Sequence, residues 1–212
     1  MRLIAKGKAP KTLLATAMAS TTSLKTAKSA RGAFEQVDKG EVRVRLSEDQ
    51  GGLCAFCMGR IDPEKRDAGR PTIRIAHLKP IDSDPARALH WTNLLGSCSS
   101  STSCDVAQGS EPLATDPTVL GHIAKLAYET KGKQLVLTSL DANTTKDVEV
   151  LGLNRGDLPS NRYGAWMAFL RRFERAKTNT YGKPAWREFF DNESRNPLCL
   201  PEYLGVIETK VR

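Results

Sequence analysis

Residues 74–105 read RIAHLKPIDSDPARALHWTNLLGSCSSSTSCD, and this stretch decides the predicted fold. Its first residues alternate between apolar and polar side chains, which predicts a strand that ends in His77. After a polar loop, a second short strand carries Asn93 and leads to Cys98, and the residues from Cys104 onward suit one or two helical turns. The middle of the chain is therefore predicted to run strand, loop, strand, helix.

Two close pairs of cysteines flank this unit, Cys54-x2-Cys57 before it and Cys98-x5-Cys104 at its end. A tetrahedral zinc ion needs four thiolates at about 2.3 Å, and two turns that each carry a close pair can supply them. The spacing favours a structural zinc site, with four buried, reduced cysteines as the alternative. The fifth cysteine, Cys199, is predicted to be a small apolar packing residue.

The charge of the chain indicates the kind of partner. Its 212 residues carry a net charge of +8, with an isoelectric point near 9.4. Such a balance favours a polyanion, most simply nucleic acid, through lysine and arginine contacts to phosphate. No apolar run approaches the roughly 18 residues that span a bilayer, and the short LLATAMA segment is predicted to be part of an ordinary arm. We therefore expect a cytoplasmic protein.

The chain is predicted to divide into three parts. Residues 1–40 form a basic N-terminal arm, the first 33 of them partly flexible or ordered only on a partner. Residues 41–117 form the zinc-stabilised core, and residues 118–212 form a hairpin and helices packed on it.

Local patterns predict several further elements. Apolar spacing predicts helices over 34–49 and 160–177, and another helix closes the chain. A hairpin is predicted with its turn at 131–133.

The segments VRVRLSEDQGGLCAFCMGRI, IAHLKPIDSDPARALHWTNLLGSC, CDVAQGSEPLATDP and LGLNRGDLPSNR carry a family resemblance. The chain resembles the HNH, or ββα-metal, endonucleases of Septu-type and retron-associated anti-phage defence systems. The resemblance implies an α+β fold, in which a zinc-clamped ββα nuclease core carries flanking helices and a small hairpin. It also implies metal-dependent phosphodiester hydrolysis with a PtuA-like ABC-type ATPase as partner. A retron reverse transcriptase with its RNA–DNA product is a further partner that the resemblance allows.

The resemblance also implies roles for residues of the central stretch. His77 matches the general base that takes a proton from water, and Asn93 matches the residue that braces its loop. Asp105 matches the ligand of a catalytic Mg²⁺ or Mn²⁺ ion.

Two positions depart from the family pattern. The family has Glu before the general base, where this chain has Ala76, and a methyl group cannot bind a metal ion. The missing carboxylate leaves three alternatives: an engineered change, a natural variation covered by Asp82, Asp84 or His90, or true degeneration. The family also has Lys where Gln108 stands, which would weaken a phosphate contact.

These departures leave competing functions open. The first is a nuclease subunit, and the second is a catalytically inactive, zinc-stabilised module that binds nucleic acid or docks on the ATPase. Candidate nucleic-acid contacts are Lys79, Arg171, Arg172 and Arg175, although a solvated helix face is the alternative for the three arginines.

Overall fold

The computed structural model describes residues 1–20, 24–67, 69–176, 182–193 and 200–211. The helices are α1 (Lys11–Ala19), α2 (Ala27–Glu35), α3 (Lys39–Gln50), α4 (Cys104–Gln108), α5 (Leu120–Ile123), α6 (Ala142–Val150), α7 (Leu158–Arg175), α8 (Lys183–Glu193) and α9 (Leu204–Val211). The strands are β1 (Arg66–Asp67), β2 (Arg70–Pro71), β3 (Ile73–His77), β4 (Leu94–Cys98), β5 (Leu126–Lys131) and β6 (Gln134–Ser139). They pair as three antiparallel two-stranded sheets, β1 with β2, β3 with β4 and β5 with β6. The chain is therefore α+β, as the sequence predicts.

The central unit follows the predicted order of strand, loop, strand, helix. In the β3–β4 ladder, Ile73 pairs with Cys98 and His77 pairs with Leu94, and the five-residue helix α4 begins at Cys104. Asn93 differs from its prediction, because it ends a 3₁₀ turn (Trp91–Asn93) immediately before β4 rather than lying in the strand. A short amide side chain that bonds to nearby backbone favours a turn over a strand.

Described residues near the start of the chain pack on the core, whereas the sequence predicted an arm that is partly flexible or ordered only on a partner. Met1, Ile4 and Leu13 are buried in the main hydrophobic cluster. The indole Nε1–H of Trp91 also donates to the carbonyl of Gly7 at 2.9 Å. The sequence pattern was too weak to predict this, because the apolar residues are sparse and their partners lie far along the chain.

The helix predicted over 34–49 is divided in two by a cap. Helix α2 ends at Glu35, and the Asp38 carboxylate accepts from the backbone N–H of Gly40 at 2.8 Å to begin α3. An aspartate in this position satisfies the free N–H groups of a new first turn, so the chain starts a second helix there.

The hairpin and the long helix of the C-terminal part are confirmed. Strands β5 and β6 are joined across residues 132–133, and Phe169 and Phe173 of α7 are buried. The helix predicted to close the chain is α9, which begins at Leu204. Lys177, at the end of the predicted helix, and Cys199 lie outside the described residues. Among the described residues, no helix is both long enough and apolar enough to cross a bilayer.

Candidate functional site

Four cysteines from the two predicted pairs meet in one cluster. The Sγ atoms of Cys54 and Cys104 lie 3.7 Å apart, and those of Cys57 and Cys98 are also 3.7 Å apart. All four sulfurs lie within 4.8 Å of one another. Four thiolates at about 2.3 Å from a tetrahedral zinc ion stand about 3.8 Å apart, so the sulfur spacing fits that ion. In the part of the chain that the structure describes, this is the one cluster of three or more His, Cys, Asp or Glu side chains arranged to hold a metal.

The backbone around the sulfurs is shaped to present them. The N–H of Met58 donates to the carbonyl of Cys54 at 3.0 Å, and Met58 itself has a left-handed φ of 67°. The N–H of Gly59 donates to the Cys57 sulfur at 3.3 Å. Cys104 also has a left-handed φ, of 60°, and a β-carbon makes that conformation costly. Two strained residues in the same small region indicate that positioning of the sulfurs outweighs local backbone preference.

The sulfur cluster needs a cation to become fully ionised. Hydrogen bonding to the thiol of Cys54, together with burial, raises the pKa of Cys104 far above its ordinary range. Four close thiols, three of them buried, cannot all lose their protons without positive charge between them, whereas a metal ion removes those protons on binding. The cluster can therefore hold zinc, with Cys54, Cys57, Cys98 and Cys104 as its four ligands.

His77 lies at the end of β3 with one ring nitrogen committed to the backbone. Its Nε2 is 3.0 Å from the carbonyl oxygen of Ala88. A carbonyl only accepts, so Nε2 carries the proton and the neutral ring leaves Nδ1 as a base. The edge of the Phe34 ring contacts the imidazole, with ring centroids 4.7 Å apart. Burial lowers the pKa of His77 below its ordinary value, although the Ala88 bond and the charge of Asp105 partly oppose that shift. The imidazole is therefore neutral at pH 7.

Asn93 braces the loop that holds His77. Its Oδ1 accepts from the N–H of Lys79 at 2.8 Å, and its Nδ2 donates to the carbonyls of Lys79 and Arg87 at 3.0 and 3.1 Å. Arg87 precedes Ala88, whose carbonyl holds the imidazole. The side chain of Asn93 is buried, so these bonds connect both ends of the loop in a water-poor environment.

We expect Asn93→Ala to destabilise the fold, because it removes three partly buried hydrogen bonds and leaves the N–H and the carbonyl of Lys79 without the partner that Asn93 supplies. Each group that stays unpaired costs roughly 1–3 kcal/mol. Urea unfolding measures the change, with Asn143→Ala, an exposed position on α6, as the matched control. Equal unfolding free energies for the two variants would show that Asn93 does not brace the loop.

His77 and Asp105 line one small polar pocket of about 220 Å³. Asp82 and Arg31 line the same pocket and are joined by an ion pair. Asp105 forms its own ion pair, with its Oδ2 atom 2.6 Å from Nε of Arg74. The pocket lining thus holds a neutral base, two carboxylates and the guanidinium of Arg31, while Arg74 pairs with Asp105 from outside the lining.

The same pocket offers poor ligands for a divalent cation. Ala76 is fully buried and places a methyl group where the family has a carboxylate. The carboxylate of Asp105 already binds a guanidinium. The side chains present therefore do not fit the Mg²⁺ or Mn²⁺ site that the family resemblance implies.

Other predicted site residues lie away from this pocket. His90 lines a separate, apolar pocket together with Leu14 and Met18, and that pocket shares no lining residue with the one around His77. Asp84 pairs with Arg87 at 3.2 Å. The ammonium of Lys79 donates to the carbonyl of Leu113 and is partly buried. The arginines predicted on the long helix are exposed on α7, outside the pocket lining: Arg171, Arg172 and Arg175.

Gln108 acts inside the protein rather than toward a phosphate. It is buried, and its Nε2 donates to the carbonyls of His77 at 2.9 Å and Glu111 at 3.2 Å. These bonds tie helix α4 to the end of strand β3. Where the family has lysine, this chain therefore has a side chain that holds the backbone of His77 by hydrogen bonding.

Sequence reasoning missed Arg31, which lines the pocket, and Arg74, which pairs with the lining residue Asp105. Arg74 stands two residues before Ala76, so the two share a face of β3, and that alternation was a usable signal. No local signal marked Arg31, because α2 reaches the pocket only through tertiary packing.

Comparison with known proteins gives one informative similarity. The chain is 29% identical to the Septu protein PtuB of Bacillus thuringiensis over 126 residues, or 56% of this chain. The matched segment spans 43% of that relative, so less than half of its length is covered. No family model matches the chain. The resemblance to Septu proteins that the sequence motifs carried is thereby confirmed, at a distant level.

Proposed function

We propose that this chain is the HNH-type nuclease subunit of an anti-phage defence system and that it hydrolyses nucleic-acid phosphodiesters. One observation carries the proposal: a half-buried, neutral histidine has one nitrogen fixed to a carbonyl and the other free, in a polar pocket that it shares with Asp105. A base held in one tautomer, with a pKa below 7, accepts a proton from water at neutral pH.

The sulfur cluster supports this activity because two of its cysteines lie on the elements next to His77 and Asp105. Cys104 supplies a sulfur and begins α4, and the next residue is Asp105. Cys98 supplies another sulfur at the end of β4, which pairs with the strand that carries His77. Zinc held by the four sulfurs would thus fix β4 and α4, and with them the spacing between His77 and Asp105.

The partner in this proposal is a PtuA-like ABC-type ATPase that controls the nuclease. Similarity to a Septu protein supports the pairing. The basic charge of the chain, +8, supports a nucleic-acid substrate. A retron reverse transcriptase and its RNA–DNA product remain a further candidate partner on the family resemblance alone.

Incubation of the purified chain with supercoiled plasmid, duplex DNA and RNA tests the proposal, both alone and with the co-expressed ATPase. We expect nicked or linear products. Intact substrate under every condition, from zinc-loaded and folded protein, would reject the nuclease.

The buried methyl group of Ala76 favours a second candidate, an inactive zinc-stabilised subunit. A nucleic-acid-binding subunit retards DNA in a gel without cutting it. A subunit that only docks on the ATPase co-purifies with it and does neither. The same preparations distinguish all three functions.

A further inference from the structure

We propose that the guanidinium of Arg74, which pairs with the pocket residue Asp105, takes the place of the divalent cation, so that the chain hydrolyses phosphodiesters without a catalytic metal ion. The inference rests on the proposed nuclease function and identifies the positive group that acts there. Arg74 and Ala76 lie on the same face of β3, and Arg74 extends from that face to Asp105 at 2.6 Å. A charged side chain therefore reaches the carboxylate that the family uses for its metal.

The local charges favour the guanidinium over a metal ion. Asp105 is the candidate ligand on α4, and its charge is already balanced by Arg74. A divalent ion beside this carboxylate would stand close to the guanidinium and be repelled by it. Ala76 adds no second carboxylate to offset that repulsion.

Arg74 also has the donors and the access that a phosphate requires. A guanidinium carries five N–H groups, and the Nε–H is the one directed at Asp105. The terminal nitrogens carry four more, in the planar arrangement that matches two oxygens of a phosphate. The side chain of Arg74 is 51% exposed, whereas that of Asp105 is 17% exposed. Asp105 thus orients the guanidinium through its Nε–H, while the terminal nitrogens of Arg74 remain accessible to substrate.

The reaction balances without a further reactant besides water. Nδ1 of His77 takes a proton from a water molecule, and the water oxygen forms a bond to phosphorus. The bond from phosphorus to the leaving oxygen breaks, and that oxygen takes a proton from solvent. Arg74 stabilises the negative charge that gathers on the phosphoryl oxygens in the transition state.

Cleavage in buffer freed of divalent ions by a chelating resin tests the inference, on full-length protein whose bound zinc is confirmed by elemental analysis. We expect cleavage to continue in this buffer and to be no faster with added Mg²⁺ or Mn²⁺. Arg74→Met should lower the rate by about 10²- to 10³-fold, the usual cost of removing one group that stabilises developing charge. Arg187→Gln, an exposed arginine on α8, is the matched control and should leave the rate unchanged.

Chemical rescue separates catalysis from folding. Arg74→Ala should regain part of its activity when ethylguanidinium is added, which a merely structural role would not produce. Failure of rescue in a folded, zinc-loaded variant would overturn the inference.

Binding of Mn²⁺, followed by electron paramagnetic resonance, gives a readout that does not depend on activity. We expect the parent protein to bind no Mn²⁺ through Asp105, and Ala76→Glu to gain a site. Mn²⁺ binding by the parent that Asp105→Asn removes would overturn the inference and leave the nuclease proposal standing. Absence of cleavage under all conditions would instead remove the nuclease proposal.

Discussion

Cys104→Ser is expected to unfold most of the protein at room temperature. Structural zinc contributes roughly 10–16 kcal/mol of apparent folding free energy in small peptides, and a whole domain is stable by only about 5–15 kcal/mol. Loss of one of four thiolates therefore removes a contribution as large as the net stability. Zinc content by elemental analysis and urea unfolding followed by circular dichroism measure the effect.

The chain supplies its own control for this experiment. Cys199→Ser changes a cysteine that lies outside the predicted ligand set and should leave the zinc content at one ion per chain. A zinc chelator should destabilise the parent and the control alike, because it removes the same ion from both. A Cys104→Ser protein that is metal-free and as stable as the parent would show that the sulfurs pack as ordinary thiols.

His77→Ala is expected to lower the rate of nucleic-acid cleavage by about 10²- to 10⁴-fold, the range for loss of a general base. The imidazole contacts Phe34 and Ala88, so the variant must first be shown to fold and to retain zinc. His122→Ala is the matched control, because its ring accepts from the N–H of Asp116 outside the pocket. Equal rates for the two variants would remove His77 from the mechanism.

The pH dependence of the parent tests the same assignment. Burial lowers the pKa of His77, so the base is neutral and active above that pKa and protonated and inactive below it. Cleavage should rise with pH through a midpoint below 6.5, the ordinary value for histidine, and should be level near pH 7. A cleavage rate that instead falls as the pH rises through this range would mean that the reaction requires a protonated group.

Local patterns were sufficient for much of the fold. The hairpin β5–β6, the helix α7 and the order of β3, β4 and α4 follow from alternation and apolar spacing over a few neighbouring residues. The spacing of the cysteines favoured a zinc site built from two close pairs, and tertiary packing brings the two pairs together. The split between α2 and α3 depended on one capping carboxylate, Asp38, which competed with an apparently continuous helical pattern.

The sequence by itself identified the candidate residues: four cysteines, a histidine that ends a strand, and an aspartate in the first turn of a short helix. Only the tertiary structure decided what those residues face. It places the Ala88 carbonyl on one nitrogen of His77, the guanidinium of Arg74 on Asp105, and Arg31 from α2 at the same pocket. The physical reason is one of range. Strand and helix periodicity act between neighbours in the chain, whereas the charge, burial and hydrogen bonding of a reactive group depend on segments that packing alone brings together.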